Sequence, residues 1–184
     1  MDKDPDLVLV ERFRNGDRAA FARLVERYQG PLYNAAYRVL GNAEDASDTT
    51  QVVFLRVAEK VGEYDPQYRF FSWIYRIALN ESLNLKRRKQ KEEPLEEEAE
   101  IADADSSDPE WQASEAERSR RIQKALLGMT MEDRTVLTLR HFSDCSYREI
   151  GYILGLEEKT VKSRIFEARQ RLGVLLEDLR TRRI

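Results

Sequence analysis

Ten of the nineteen residues from 92 to 110 are acidic and none is basic. Like charges at that density repel, Pro94 and Pro109 interrupt helices, and few of the side chains could enter a core. The stretch therefore reads as a flexible acidic linker, and a chain carrying it must fold as two pieces. With the linker at 92–115, those pieces are 1–91 and 116–184, each the size of a small domain. The net charge of −3 hides a division. Removing these ten carboxylates leaves +7 for the rest of the chain, so the folded parts are basic although the whole-chain pI is 5.5. Clustered Lys and Arg release condensed counterions when they reach phosphates, so a nucleic-acid partner is electrostatically reasonable.

Both flanks of the linker show helical periodicity, and nothing alternates with a two-residue period over a strand's length, so the expected fold is all-α. In the first piece Gly16-Asp17 ends one helix and caps the next, where Phe21, Leu24, Val25 and Tyr28 recur at three- and four-residue spacing. Gly30-Pro31 reads as a stop and restart, followed by a stripe of Leu32, Ala35, Ala36 and Val39 that ends at Gly41. A third helix spans about 44–61 with Ala46, Val53, Phe54, Val57 and Val61 inward, and a fourth about 71–88 with Ile74, Ile77 and Ala78 on its apolar face. In the second piece a helix is expected from about 115 to 128. Thr130, with Asp133 three residues on, resembles an N-cap opening the next helix, and two more follow.

Residues 1–6 have neither a basic flank nor an apolar stretch, and no later segment approaches the roughly 18 apolar residues of a membrane helix. A cytoplasmic protein without membrane insertion is expected. The single cysteine, Cys145, cannot form an internal disulfide. His141 and Cys145 stand four apart, but two ligands do not make a structural zinc site, which generally takes four. With no Gly-rich phosphate loop either, neither a metal, nor a cofactor, nor an enzyme activity is expected.

The last two helices lie in SYREIGYILGLEEKTVKSRIFEARQRL, residues 146–172. Ile150, Ile153 and Leu154 mark the first, Gly155 stands where a helix commonly ends in a left-handed residue, and Glu157 and Glu158 favour the positive end of a new helix. Val161, Ile165, Ala168 and Leu172 then share one buried stripe. The opposite side carries Lys159, Ser163, Phe166, Glu167 and Gln170, flanked by Thr160, Lys162, Arg164, Arg169 and Arg171. Short polar groups there can meet base edges in the major groove while Lys and Arg hold phosphates at its rims. From 159 to the end there are eight basic and three acidic residues. Without the glycine turn and this charge excess, a solvated helical hairpin would be the better reading.

Six of the 17 aromatic residues fall between positions 64 and 75, namely Tyr64, Tyr68, Phe70, Phe71, Trp73 and Tyr75, with Lys86, Arg87, Arg88, Lys89 and Lys91 soon after. Rings beside a basic helix can stack on unpaired bases while the cations follow the backbone. The competing explanation is that most of these rings are core, since aromatic residues dominate core packing.

Taken together, the two pieces resemble an alternative sigma factor of bacterial RNA polymerase, of the extracytoplasmic-function (ECF) group. GNAEDASDTTQVVFLRV at 41–57 and FFSWIYRIALNESLNLKRR at 70–88 resemble the family's second conserved region, and residues 116–176 its fourth. The acidic stretch stands in place of the third region. The resemblance implies a region 2 helical bundle and a region 4 helix-turn-helix. It implies contact with the polymerase β′ coiled coil through Asp45, Asp48, Gln51, Val53 and Phe54, and with the β flap. It places Phe70, Phe71, Trp73, Tyr75, Asn80, Asn84, Arg87 and Arg88 at the −10 promoter element. Lys162, Ser163, Arg164, Phe166 and Glu167 fall at the −35 element, and Lys159, Thr160 and Arg171 join them from the helix face. The implied partners are core RNA polymerase, promoter DNA and an anti-sigma factor, including a membrane-anchored one.

The chain departs from the family pattern at three positions within these segments. Val52 stands where an acidic residue is usual, Thr49 where an apolar one is common, and Glu167 where the family is often basic. A carboxylate accepts from a cytosine amino group but repels phosphate. The alternative is a helix-turn-helix regulator that binds duplex DNA without acting as a polymerase subunit. It would need an effector pocket or receiver domain that residues 1–90 do not show.

Overall fold

A computed structural model describes residues 6–92 and 109–181, with side chains for 6–89 and 117–177. Residues 93–108, most of the expected linker, lie outside the described residues. The described residues form eight α-helices and a single 3-10 turn, with no strand among them. The first unit comprises α1 (Leu7–Arg14), α2 (Arg18–Leu40), α3 (Ala43–Lys60), the turn Val61–Glu63 and α4 (Phe70–Glu92). The second comprises α5 (Pro109–Leu127), α6 (Met131–His141), α7 (Tyr147–Leu154) and α8 (Glu158–Thr181). Helix α5 starts some six residues before the periodicity indicates, at a proline whose missing N–H costs nothing in a first helical position.

Short polar side chains set the starts of these helices. Asp17 accepts from the amides of Ala19 and Ala20, Asn42 from Asp45, and Thr130 from Asp133. Each such cap contributes about 1 kcal/mol. Gly41 closes α2 in the left-handed conformation.

The expected break at Gly30-Pro31 does not occur, and α2 runs through it as one helix of 23 residues. Gly30 carries no Cβ to meet the proline ring, and both residues face solvent while Tyr28 and Leu32 face the core. The backbone carbonyl left without its helical donor is therefore within reach of water, and burial of the flanking stripe outweighs the missing hydrogen bond.

In the first unit Leu24, Leu32, Val53, Val57, Phe70 and Ile74 are almost wholly buried, and in the second Leu126, Val136, Leu137, Ile150 and Ile165 are. Burying each such side chain stabilises the fold by about 1.5–3 kcal/mol, which is more than any single cap supplies. The two units face each other, with α4 against α7 and the C-terminal half of α2 against α5 and α6. Arg134 on α6, 3% exposed, spans the junction. It donates to the carbonyl of Val39 at the end of α2 and to those of Leu126, Leu127 and Met129 at the end of α5.

Candidate nucleic-acid interface

The helix-turn-helix is held by three local devices. Ser146 caps α7, its hydroxyl accepting from the Glu149 amide at 3.2 Å while the Glu149 carboxylate accepts from the Ser146 amide at 2.8 Å, a reciprocal capping box. Gly155 ends α7 at φ 67°, a conformation glycine adopts without penalty. Gly151 has no distinguishing signal in the sequence pattern, yet a Cβ there would lie 2.7 Å from the Leu156 carbonyl oxygen. The turn can fold back this closely only over a glycine.

Val161, Ile165 and Ala168 are buried and Leu172 is half-buried, so the expected inward stripe of α8 is the inward stripe. Lys159, Lys162, Ser163, Arg164, Phe166 and Glu167 are exposed together on the other side, Phe166 at 64%, and Thr160 is half-buried. Intrahelical pairs occupy part of this face: Lys162 meets Glu158 at 2.8 Å and Arg171 meets Glu167 at 3.0 Å. Arg171 also pairs with Asp133 on α6, which turns it toward the unit's own framework. Lys159 and Arg164 form no ion pair among the described residues, so their charge is the most available to phosphate.

The first-unit residues separate into two groups. Asn80, Asn84, Arg87 and Arg88 lie along one exposed face of α4. Phe70, Trp73 and Tyr75 are buried, and Phe71 is half-buried. Phe70 sits among Tyr28, Tyr64 and Trp73 with ring centroids 5.5–5.8 Å apart. The Tyr75 hydroxyl donates to the Pro31 carbonyl at 3.0 Å, and burial pushes its pKa up to about 12. In this structure most of the aromatic cluster is core, and α4 offers amides and guanidinium groups to its surroundings.

On α3, Asp48 and Gln51 are exposed, Asp45 is half-buried and paired with Lys89 at 2.7 Å, Val53 is core, and Phe54 packs edge-on to Phe21. Two apolar residues are exposed on this helix: Val52, 36% exposed, which the sequence marks as a departure from the family pattern, and Leu55, 64% exposed, which the motifs do not single out. Spacings of three, four and seven from Asp48 place Gln51, Val52 and Leu55 on its face, so the helical period itself carries that signal.

Arg169 on α8 donates from Nε to Nε2 of His141 at 3.0 Å, which requires the neutral imidazole. Burial, and then the Arg169 and Arg140 charges, hold the His141 pKa below its ordinary 6.5. Since the native state then binds this proton less readily than the unfolded chain, the contact supports folding above pH 6.5 and is lost as pH falls through the folded value. His141 is the chain's single histidine, so its NMR titration is unambiguous. A midpoint below 6.5 that rises in Arg169→Ala is expected, and an unshifted midpoint would contradict the contact. The Cys145 thiol is buried and its pKa is pushed up to about 12, chiefly by that burial. Among the described residues no three His, Cys, Asp or Glu side chains are grouped to hold a metal.

Comparison with known proteins bears on both units. Residues 24–92 match sigma-70 region 2, and residues 119–172 match sigma-70 region 4. The ECF RNA polymerase sigma factor SigW of Bacillus subtilis is 34% identical over 181 residues, covering 92% of this chain and 96% of that protein. The chain belongs to the sigma-70 family, in its ECF group. The RNA polymerase sigma-H factor of Pseudomonas aeruginosa is 31% identical, with 97% of each chain covered. The solved structure of CnrH in complex with the cytosolic domain of CnrY has a TM-score of 0.73 and 26% identity, covering 94% of this sigma factor and 97% of that chain. The sigma factor RpoE from Bartonella quintana, solved with the anti-sigma factor NepR, shares the fold at a TM-score of 0.71 and 22% identity. Sigma factors are transcription initiation factors, and no described helix of this one is long and apolar enough to cross a membrane.

Proposed function

We propose that this chain binds core RNA polymerase in the cytoplasm through α3 and directs initiation at promoters whose −35 duplex is read by α8 and whose −10 element is engaged by α4. The observation that carries the reading is the coincidence, on one exposed side of α8, of the residues that the family places at −35: Lys162, Ser163, Arg164, Phe166 and Glu167. Two weak DNA contacts joined in one chain act as one strong contact, because the first raises the effective concentration of the second. The exposed face of α4 supports a division of labour at −10, with Asn80 and Asn84 available to bases and Arg87 and Arg88 to phosphates. Restraint by an anti-sigma factor is part of the same reading, supported by the ECF group membership and by the partner-bound structure of CnrH.

Polymerase contact is assigned to the exposed face Asp48, Gln51, Val52 and Leu55, with Val53 holding that face from beneath. Titration of labelled chain against purified core polymerase tests this. Leu55→Glu is expected to weaken core binding at least tenfold, about 1.4 kcal/mol, with unchanged helicity and stability. Val53→Ala is expected to lower stability instead, by about 1–2 kcal/mol. Undiminished core binding by Leu55→Glu would move the contact elsewhere.

A further inference from the structure

The outward side of α8 holds fewer free polar groups than its sequence offers. Ser163 turns its hydroxyl back to the Lys159 carbonyl at 3.2 Å, and Lys162 is paired with Glu158. Phe166 presents an exposed ring with no hydrogen-bonding atom. Glu167, next to it, is exposed as well, but its carboxylate is not loose. Arg171 donates from Nη2 to Oε2 of Glu167 at 3.0 Å, while Oε1 accepts from no group among the described residues.

Arg171 is itself anchored. Its Nη1 donates to Oδ2 of Asp133 on α6, whose side chain is 9% exposed. Asp133 is fixed in turn: its amide donates to the Thr130 hydroxyl at 3.3 Å, and its carboxylate sits in the first turn of α6, where the helix dipole favours negative charge. An exposed Arg–Glu pair four residues apart is ordinarily too weak to hold one geometry. The buried carboxylate at the far end removes that freedom, because one planar guanidinium must satisfy both acids at once. Asp133, Arg171 and Glu167 together therefore aim a single carboxylate oxygen outward from α8.

An ionised carboxylate only accepts hydrogen bonds. Among the base edges of the major groove, guanine N7 and O6 and thymine O4 are acceptors and repel it, and adenine sets its N6 donor beside the N7 acceptor. Cytosine shows a donor, N4, with no acceptor of its own. We propose that Glu167 is a specificity residue that accepts from a cytosine N4 in the −35 duplex, and that Asp133 and Arg171 are positioning residues that hold it there. On this assignment Arg171 serves the carboxylate and not a phosphate. The inference rests on the proposed reading of −35 duplex by α8 and adds the base that is read.

Binding selection by the full chain with core polymerase, from promoter fragments randomised across −35, tests both parts. Cytosine is expected at one position by at least about fivefold over each other base, the low end for one base pair read directly. Glu167→Ala is expected to erase that preference and leave the rest of the selected sequence. Glu167→Gln, whose amide pairs with adenine N6 and N7, is expected to raise adenine there to at least the level of cytosine. Asp133→Asn is expected to cut the cytosine preference by at least about threefold while the salt dependence of binding steepens, because Arg171 is released to a phosphate. A merely structural Asp133 would instead weaken every sequence alike, and selectivity unmoved in Asp133→Asn overturns the positioning role. A definite −35 preference that lacks the cytosine, or keeps it in Glu167→Ala, overturns this inference alone. Fragments selected with no preference anywhere across −35 overturn the reading by α8 and this inference with it.

Discussion

Replacing Arg134 by methionine is expected to lower the free energy of unfolding by about 3–5 kcal/mol. The guanidinium donates from Nε to Leu126 at 2.9 Å, from Nη1 to Val39 at 2.6 Å, and from Nη2 to Leu127 at 2.9 Å and Met129 at 3.2 Å. These carbonyls belong to the last turns of α2 and α5 or lie just beyond, where a helix has no donors of its own and its dipole is negative. One cation thus satisfies the ends of two helices from different units. Methionine fills similar length but leaves the Val39, Leu127 and Met129 carbonyls without this donor, while the Leu126 carbonyl keeps the Met129 amide, and three lost acceptor contacts exceed the loss of an ordinary hydrogen bond. Arg134→Lys keeps the charge but not the fork, and is expected to recover only part of the loss. Urea unfolding followed by circular dichroism measures both, and a loss under about 1 kcal/mol for methionine would show that the carbonyls find water instead.

Reversing Lys162 and Arg164 together to glutamate is expected to cut promoter-dependent run-off transcription at least tenfold while leaving core binding unchanged. Both side chains are exposed, so the fold bears little of the change. Lys162→Glu gives up its pair with Glu158 and sets two carboxylates four residues apart, a cost of about 0.5 kcal/mol. The effect on DNA is larger, because a phosphate no longer met by a cation keeps its condensed counterion, and the substituted carboxylate repels the backbone. The dependence of promoter binding on salt is therefore expected to flatten by about one unit of log–log slope for each phosphate left without its cation. Unchanged run-off and an unchanged slope would remove α8 from the DNA. Glu167 belongs to the same face, but its carboxylate is held by Arg171 and opposes phosphate there. Whatever base preference it imposes is tied to the position of that arginine.

Helix identity is legible in this sequence because caps and stripes are local. Asp17, Thr130 and Gly155 announce helix ends through short-range chemistry, and the Val161, Ile165 and Ala168 spacing fixes which side of α8 is buried. Gly30-Pro31 misleads because a proline's cost depends on whether its helix gains enough by continuing, and the packing of Leu32, Ala36 and Val39 decides that. The aromatic cluster is ambiguous for a similar reason. Phe70, Trp73 and Tyr75 have the composition of a base-stacking platform and of a core alike, and only the positions of Tyr28 and Tyr64 tell the two apart. Leu55 is readable from the period of α3 but is overshadowed by its more familiar neighbours Val53 and Phe54. Arg134 has no local signature at all, since its acceptors are backbone carbonyls that any residue type supplies. Contact between the units is equally silent, because the residues that make it, Arg69 with Glu149 and Tyr68 with Tyr152, are about eighty positions apart.

Run-off transcription with purified core polymerase is the most direct measurement of the central claim that two helical units place a polymerase on a promoter. The chain with core enzyme is expected to start transcripts at templates bearing its −35 and −10 elements, and to bind the same duplex weakly when alone. Tight duplex binding by the chain alone, with no initiation when core enzyme is added, would contradict the account and make the protein a helix-turn-helix regulator.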